Sequence, residues 1–156
     1  MMASERVEQL RKVELFAGLK DEALELIAKV AVEETHQLGT KIFEHGDAGD
    51  KLYLILDGRV RISREVPGMG EEALAILGPG QMFGEMALLD ESPRSADARV
   101  HNTCRVLAIP KDGFDDLLFL HKDLAYEVLW SIVRMLVGRL RETTNKLTFL
   151  SISGKF

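Results

Sequence analysis

Between Thr40 and Pro110 the chain is interrupted at short intervals by glycine, aspartate and proline, and this punctuation limits the possible folds more than any other feature. The runs it separates are Lys41-Ile42-Phe43, Leu52 to Leu56, Arg59 to Arg64, Ala73 to Leu77 and Arg99 to Ile109. These runs are β-prone, mostly short, and separated by Gly, Asp and Pro, so they read as strands. Turns are expected at Glu44 to Asp50, Asp57-Gly58, Pro67 to Gly70 and Gly78-Pro79-Gly80, with Asp57-Gly58 the strongest hairpin signal. Several short strands at this spacing predict an antiparallel barrel, sandwich or jelly roll.

The flanks follow a different period. Val7, Leu10, Leu15 and Phe16, then Leu24, Ile27, Ala28 and Ala31, recur at helical spacing around a break at Gly18, with Asp21 placed to cap the second helix. After Pro110 the helical pattern returns, first over Phe114 to Leu120 and then in a long segment from about Asp123 to Leu150. The expected class is therefore α+β: one domain over 1–156, with a helical part at about 5–36, a β-roll of the jelly-roll (double-stranded β-helix) type at about 39–110, and helices at about 112–150.

At 156 residues with 46% apolar and 29% charged side chains, the chain has the composition of a single soluble domain. Its 25 acidic and 20 basic side chains give a net charge of −5, which offers no general attraction to nucleic acid or to an anionic membrane. Met1 to Lys12 lacks the apolar core of a secretory signal, and the expected location is cytoplasmic. Cys104 stands alone, which excludes an internal disulfide and a cysteine-based zinc site. His36, His45, His101 and His121 are scattered without metal-ligand spacing, and no catalytic motif is present. The expectation is a binding protein, with no metal and no catalytic cofactor.

The chemistry is concentrated in Phe83-Gly84-Glu85-Met86-Ala87-Leu88-Leu89-Asp90-Glu91-Ser92-Pro93-Arg94-Ser95-Ala96. Gly84 permits a close backbone approach, and Glu85 to Leu89 can form a helical turn whose free N–H groups face an anion. Arg94 can supply two charge-assisted bonds to phosphate oxygens, with Ser95 beside it. A glutamate inside an anion site is favourable only if it accepts a hydrogen bond from a neutral part of the same ligand, such as a ribose hydroxyl. The competing assignments are a scaffold ion pair of Arg94 with Glu85, Asp90 or Glu91, and pairing of Glu85 to a neighbouring cation.

This run resembles the phosphate-binding cassette of the cyclic-nucleotide-binding domain family, in which Phe-Gly-Glu and Pro-Arg flank a short helix. Gly39 to Phe43, Gly46-Asp47, Gly49-Asp50, Leu52-Tyr53, Ile55, Gly58 and Leu77-Gly78-Pro79-Gly80 follow the family's order and spacing, and the similarity extends over roughly Leu15 to Leu150. The resemblance implies that Glu85 binds the ribose 2′-hydroxyl and Arg94 the cyclic phosphate. It also implies that Gly84, Met86, Ala87 and Ser95 donate to that phosphate, with Leu74 and Met82 on the pocket wall beside Phe83. The implied ligand is cAMP, with cGMP left open because Ser95 can serve a phosphate or a guanine amino group.

Leu129, Val133, Leu136, Leu140, Thr143, Leu147 and Leu150 alternate spacings of four and three, the pattern of a two-helix seam or of packing against the chain's own roll. A second line, Tyr126, Trp130 and Val137, is expected to face the roll. Gly138 to Gly154 is similar to the dimer helix and hinge of the catabolite activator subfamily. That similarity implies a homodimer in which Thr143 and Thr144 reach the adenine, one of them from the partner subunit. The subfamily continues into a helix-turn-helix region, whereas this sequence stops at Phe156, so DNA binding by this chain alone is not carried over. Asp97 stands where many family members have Thr. A carboxylate facing the phosphate would weaken binding, although alternation with Ala96, Ala98 and Val100 would turn Asp97 and Arg99 toward solvent.

The resulting expectation is a cyclic nucleotide sensor, cAMP preferred, that signals through its C-terminal helix to an unidentified output protein. The alternatives are a dimerising scaffold of the same fold that no longer binds nucleotide, and the sensor half of a longer transcription regulator.

Overall fold

The computed structural model describes residues 1–154, except for the side chains of Ala87 and Leu88. Helices α1 (Ala3–Arg11) and α2 (Asp21–Val30) lead into six strands: β1 (Val32–His36), β2 (Lys41–Phe43), β3 (Lys51–Val66), β4 (Gly70–Leu77), β5 (Met82–Phe83) and β6 (Asp97–Pro110). A 3₁₀ turn at Glu85–Leu88 separates β5 from β6, and helices α3 (Lys111–Leu120) and α4 (Lys122–Ser153) complete the order. The strands form one antiparallel sheet in the order β1-β6-β3-β4, with β2 added to β6 and β5 to β3. It is the jelly roll expected, flanked by helices at both ends.

Strand alternation divides the core in two. Leu52 and Leu54 of β3, with Leu107 and Ile109 of β6, face the helices and pack with Leu10, Phe16, Leu24, Ile27, Phe114 and Val128. Their sequence neighbours Tyr53, Ile55, Val106 and Ala108 face the inside of the roll with Val60, Phe83 and Val100. Both faces of these segments are buried, so Leu52 to Ile55 and Val106 to Ile109 read as unbroken apolar runs.

Three expectations for the roll and the N-terminal helices are corrected. Asp57-Gly58 is not a hairpin: β3 runs through it, and both of its halves pair with β6, from Lys51↔Pro110 to Ser63↔Asp97, with register shifts around Asp57 and Arg59. Gly58 has φ +83, and a Cβ there would collide with the Thr103 carbonyl and Cys104, so the glycine lets the strand bend against its neighbour. The hairpin turn between β3 and β4 is at Pro67 to Gly70 instead. The N-terminal helical part does not reach residue 36, because Val32–His36 is a strand on β6. Its sequence carries no apolar period because it is a polar edge, tied by Glu33 to Arg105 and by Glu34 to His36 and Lys51. Asp21 makes no capping bond; it is the first helical residue and pairs with Arg11 instead.

Helix α4 is held by Leu124, Val128, Ser131 and Met135. Tyr126, Trp130 and Val137 do not pack on the roll but are exposed. From Leu136 to Ser153 every residue is exposed, a stretch of about 27 Å at the usual rise.

Candidate functional site

The open end of the roll holds a cavity of about 440 Å³. Phe43, Ile62, Leu77, Met82, Phe83 and Met86 form an apolar wall, and Gly84, Glu85, Asp90, Ser92, Arg94, Ser95 and Arg139 supply its polar side. Topology explains how distant residues meet there. Ile62 lies on the same inner face as Val60, Leu77 pairs with Val60, and β5 lays Met82-Phe83 beside Leu54-Tyr53.

Arg94 lies at the bottom of this arrangement and is 6% exposed. Its Nη1 donates to the Gly84 carbonyl at 3.0 Å and its Nη2 to the Lys51 carbonyl at 2.6 Å. The guanidinium carbon is 4.0 Å from the centre of the Phe43 ring, which belongs with Tyr53 and Phe83 to an aromatic cluster beneath it. Among the described residues two of its five N–H donors are thus engaged, and Nε is buried without an acceptor. Among the described residues no carboxylate forms an ion pair with it, so the competing assignment to Glu85, Asp90 or Glu91 is not what the geometry gives. Burial lowers the Arg94 pKa, an effect opposed by the fields of Tyr53, Asp50, Asp47 and Glu85, and a guanidinium remains cationic nonetheless. A buried cation with spare donors facing a cavity is suited to an anion.

Gly84 leads into the 3₁₀ turn with φ +75, and a Cβ there would come within 2.7 Å of Arg94 Nη1 and 3.3 Å of the Lys51 carbonyl. The first N–H groups of such a turn have no acceptor within it. The Glu85 side chain is 14% exposed and its Oε1 accepts from Arg139 Nη2 at 2.7 Å, the pairing to a neighbouring cation named above as the competing assignment; among the described residues no donor reaches its Oε2. Burial is also the main cause that pushes the Tyr53 phenol up to about 12.

Of the residues singled out from sequence, Met82, Phe83, Gly84, Glu85, Met86, Arg94 and Ser95 line this one cavity. The backbone of Ala87 lies in the 3₁₀ turn, and its side chain is outside the described part. Leu74 is not at the cavity: it falls at the register shift in β4, between the pairs Ser63↔Ala73 and Ile62↔Ala75, and is 62% exposed. Thr143 and Thr144 are exposed on α4 beyond it. Arg139, one helical turn nearer the roll, meets the cavity in their place, and sequence reasoning missed it along with Phe43, Ile62 and Leu77. The available signal for Arg139 was its spacing of four from Thr143, which puts both on one helix face.

Asp97 neither faces the cavity nor points to solvent. It is 4% exposed, with Oδ1 accepting from the His45 N–H at 2.7 Å, which corrects the expectation for this residue.

Residues 33–121 match the cyclic nucleotide-binding domain family. The cyclic AMP receptor protein of Thermus thermophilus is 39% identical over 137 residues, which cover 88% of this chain and 62% of that protein. A CRP-like cAMP-activated global transcriptional regulator of Mycobacterium tuberculosis is 31% identical over 143 residues, covering 92% of this chain and again 62% of the relative. The chain thus spans about three fifths of the length of these relatives. The crystal structure of the N-terminal domain of a transcriptional regulator from Streptomyces coelicolor A3(2) superimposes with a TM-score of 0.78 at 32% identity, over 89% of this chain and 94% of that one. The matched segment contains the six strands, apart from Val32 at the start of β1, and most of the cavity, including Arg94 and the turn in front of it, and on these grounds the chain belongs to the cyclic nucleotide-binding domain family.

Proposed function

We propose that this chain is a nonenzymatic sensor that binds a cyclic nucleotide, cAMP in preference to cGMP, in the open end of the roll. The observation that carries the reading is the buried Arg94, which has spare donors and no carboxylate partner among the described residues. A cyclic phosphate would sit between Arg94, Ser95 and the N–H groups of the 3₁₀ turn. The ribose hydroxyl would donate to Glu85, and the base would lie against the apolar wall of Ile62, Leu77 and Met82. The preference for cAMP rests on the cAMP-responsive relatives.

The output runs through α4. Arg139 on this helix already contacts Glu85, so occupancy at Glu85 and the position of α4 are linked. A parallel homodimer through α4 is supported by the exposed line Leu129, Val133, Leu136, Leu140, Leu147 and Leu150, which its own chain does not cover. In such a dimer the partner's helix would bring Thr143 and Thr144 toward the base. No described helix is long and apolar enough to cross a membrane, and a cytoplasmic location is part of this proposal. A second reading, the sensor half of a longer transcription regulator, is favoured by the share of the regulators that the chain covers.

Calorimetric titration with cAMP and cGMP, with 5′-AMP as the noncyclic control, tests the proposal. Saturable binding of a cyclic nucleotide, tighter than 5′-AMP, is the expected result. Absence of binding by nucleotide-free protein would favour the degenerate scaffold.

A further inference from the structure

The buried charged side chains among the described residues are Arg94 and Asp97, three positions apart and of opposite sign, yet they do not touch. A backbone loop connects them. Asp97 Oδ1 accepts the His45 N–H at 2.7 Å. The next two residues of that loop pair with Arg94: the Gly46 N–H donates to the Arg94 carbonyl at 2.8 Å, and the Arg94 N–H donates to the Asp47 carbonyl at 2.8 Å. The loop is braced internally by the Glu44 N–H on Asp47 Oδ2 at 2.9 Å and the Asp47 N–H on the Glu44 carbonyl at 3.0 Å. It ends at Lys51, whose carbonyl accepts Arg94 Nη2 at 2.6 Å. The same loop therefore fixes the backbone of Arg94 at one end and its guanidinium at the other.

We propose that Asp97 is a positioning residue for phosphate binding, its carboxylate anchoring the His45–Lys51 loop that holds Arg94 in place. The inference rests on the nucleotide-binding reading above. A carboxylate is a stronger acceptor for a backbone N–H than a hydroxyl, and a buried one is retained only with such partners. An ion pair with Arg99 does not account for Asp97, because that contact is 3.5 Å long while Arg99 Nη2 lies 2.9 Å from Glu65. Asp97 does not line the cavity. It acts on the ligand only through Arg94.

The test is calorimetric titration of the wild type, Asp97→Ala and Asp97→Asn with cAMP and cGMP, reading affinity and stoichiometry separately. Loss of the charged acceptor in Asp97→Ala raises Kd by about tenfold or more, the size of one hydrogen bond to a charged group. Stoichiometry and the cAMP-to-cGMP ratio stay at wild-type values. Asp97→Asn keeps an oxygen acceptor and stays within about threefold of wild type. A merely structural role lowers the stoichiometry or the melting temperature without changing the Kd of the folded fraction, and that result overturns the proposal. If Asp97→Ala does not fold, Asp97→Thr, with its weaker hydroxyl acceptor, carries the test: a Kd raised by more than about threefold over wild type supports the proposal and a wild-type Kd overturns it. A wild type that binds while Asp97→Ala binds equally well overturns this inference alone. A wild type that binds no cyclic nucleotide overturns the functional reading along with it.

Discussion

Arg139 Nη2 lies 2.7 Å from Glu85 Oε1, so a helix that otherwise leaves the body of the protein at Met135 is tied back to the rim of the cavity by one ion pair. The pair uses a single carboxylate oxygen, and a ribose hydroxyl on the other would join ligand, Glu85, Arg139 and α4 in one chain of contacts. Arg139 is 46% exposed, so the pair itself is worth only about 0.2–1 kcal/mol.

Arg139→Ala is accordingly expected to weaken nucleotide binding by only about two- to fivefold, while removing most of the ligand's effect on α4. Amide hydrogen exchange over residues 136–153, with and without cAMP, checks this. Ligand-induced protection that persists in the variant would separate α4 from Glu85.

The dimer seam proposed on α4 gives a second prediction. Leu140 is 66% exposed and belongs to neither core cluster, so Leu140→Glu should abolish a dimer without lowering the melting temperature of the monomer by more than a few degrees. Sedimentation equilibrium of wild type and variant decides it. A monomeric wild type at micromolar concentration would remove the dimer.

Gly84→Ala tests the left-handed position in front of the 3₁₀ turn. With φ +75 and a Cβ forced against Arg94 Nη1, the substitution should cost about 1 kcal/mol or more in stability and displace the guanidinium. A parallel loss of cAMP affinity is expected. Unchanged affinity would mean that Arg94 does not depend on this close approach.

Tyr53 predicts a pH dependence at the alkaline end. Its phenol, near 10 when exposed, is pushed up to about 12 in the folded roll, mainly by burial. Above pH 10 the unfolded chain loses this proton while the native one keeps it, so the native state binds more protons and stability falls as pH rises from 10 toward 12. Urea unfolding of wild type and Tyr53→Phe across that range should show the steeper decline in the wild type. Equal slopes would contradict the assignment.

What could be read from sequence was what lies close together in it. The cassette from Met82 to Ser95 is contiguous, and its glycine, glutamate and arginine come to one cavity. The turns at Pro67 to Gly70 and at Gly78 to Gly80 also form where their residues indicate, because turn chemistry is local. Asp57-Gly58 misled because the same glycine preference serves a bulge in a continuous strand, and the choice is made by β6, far along the chain. Leu74 rested on the resemblance alone: it stands three positions from Leu77, which strand alternation puts on the opposite face of β4, and it is exposed. Phe43, Ile62, Leu77 and Arg139 reach the cavity only through closure of the roll and the course of α4, which no local period records.

The central claim is that Arg94 is buried in order to receive a phosphate. Titration of wild type and Arg94→Ala with cAMP, accompanied by circular dichroism to establish that both are folded, tests it most directly. The account predicts saturable binding to the wild type and a loss of about a hundredfold or more in the folded variant, the scale of a charge-assisted phosphate contact in a buried site. Equal affinity of the two proteins would contradict it.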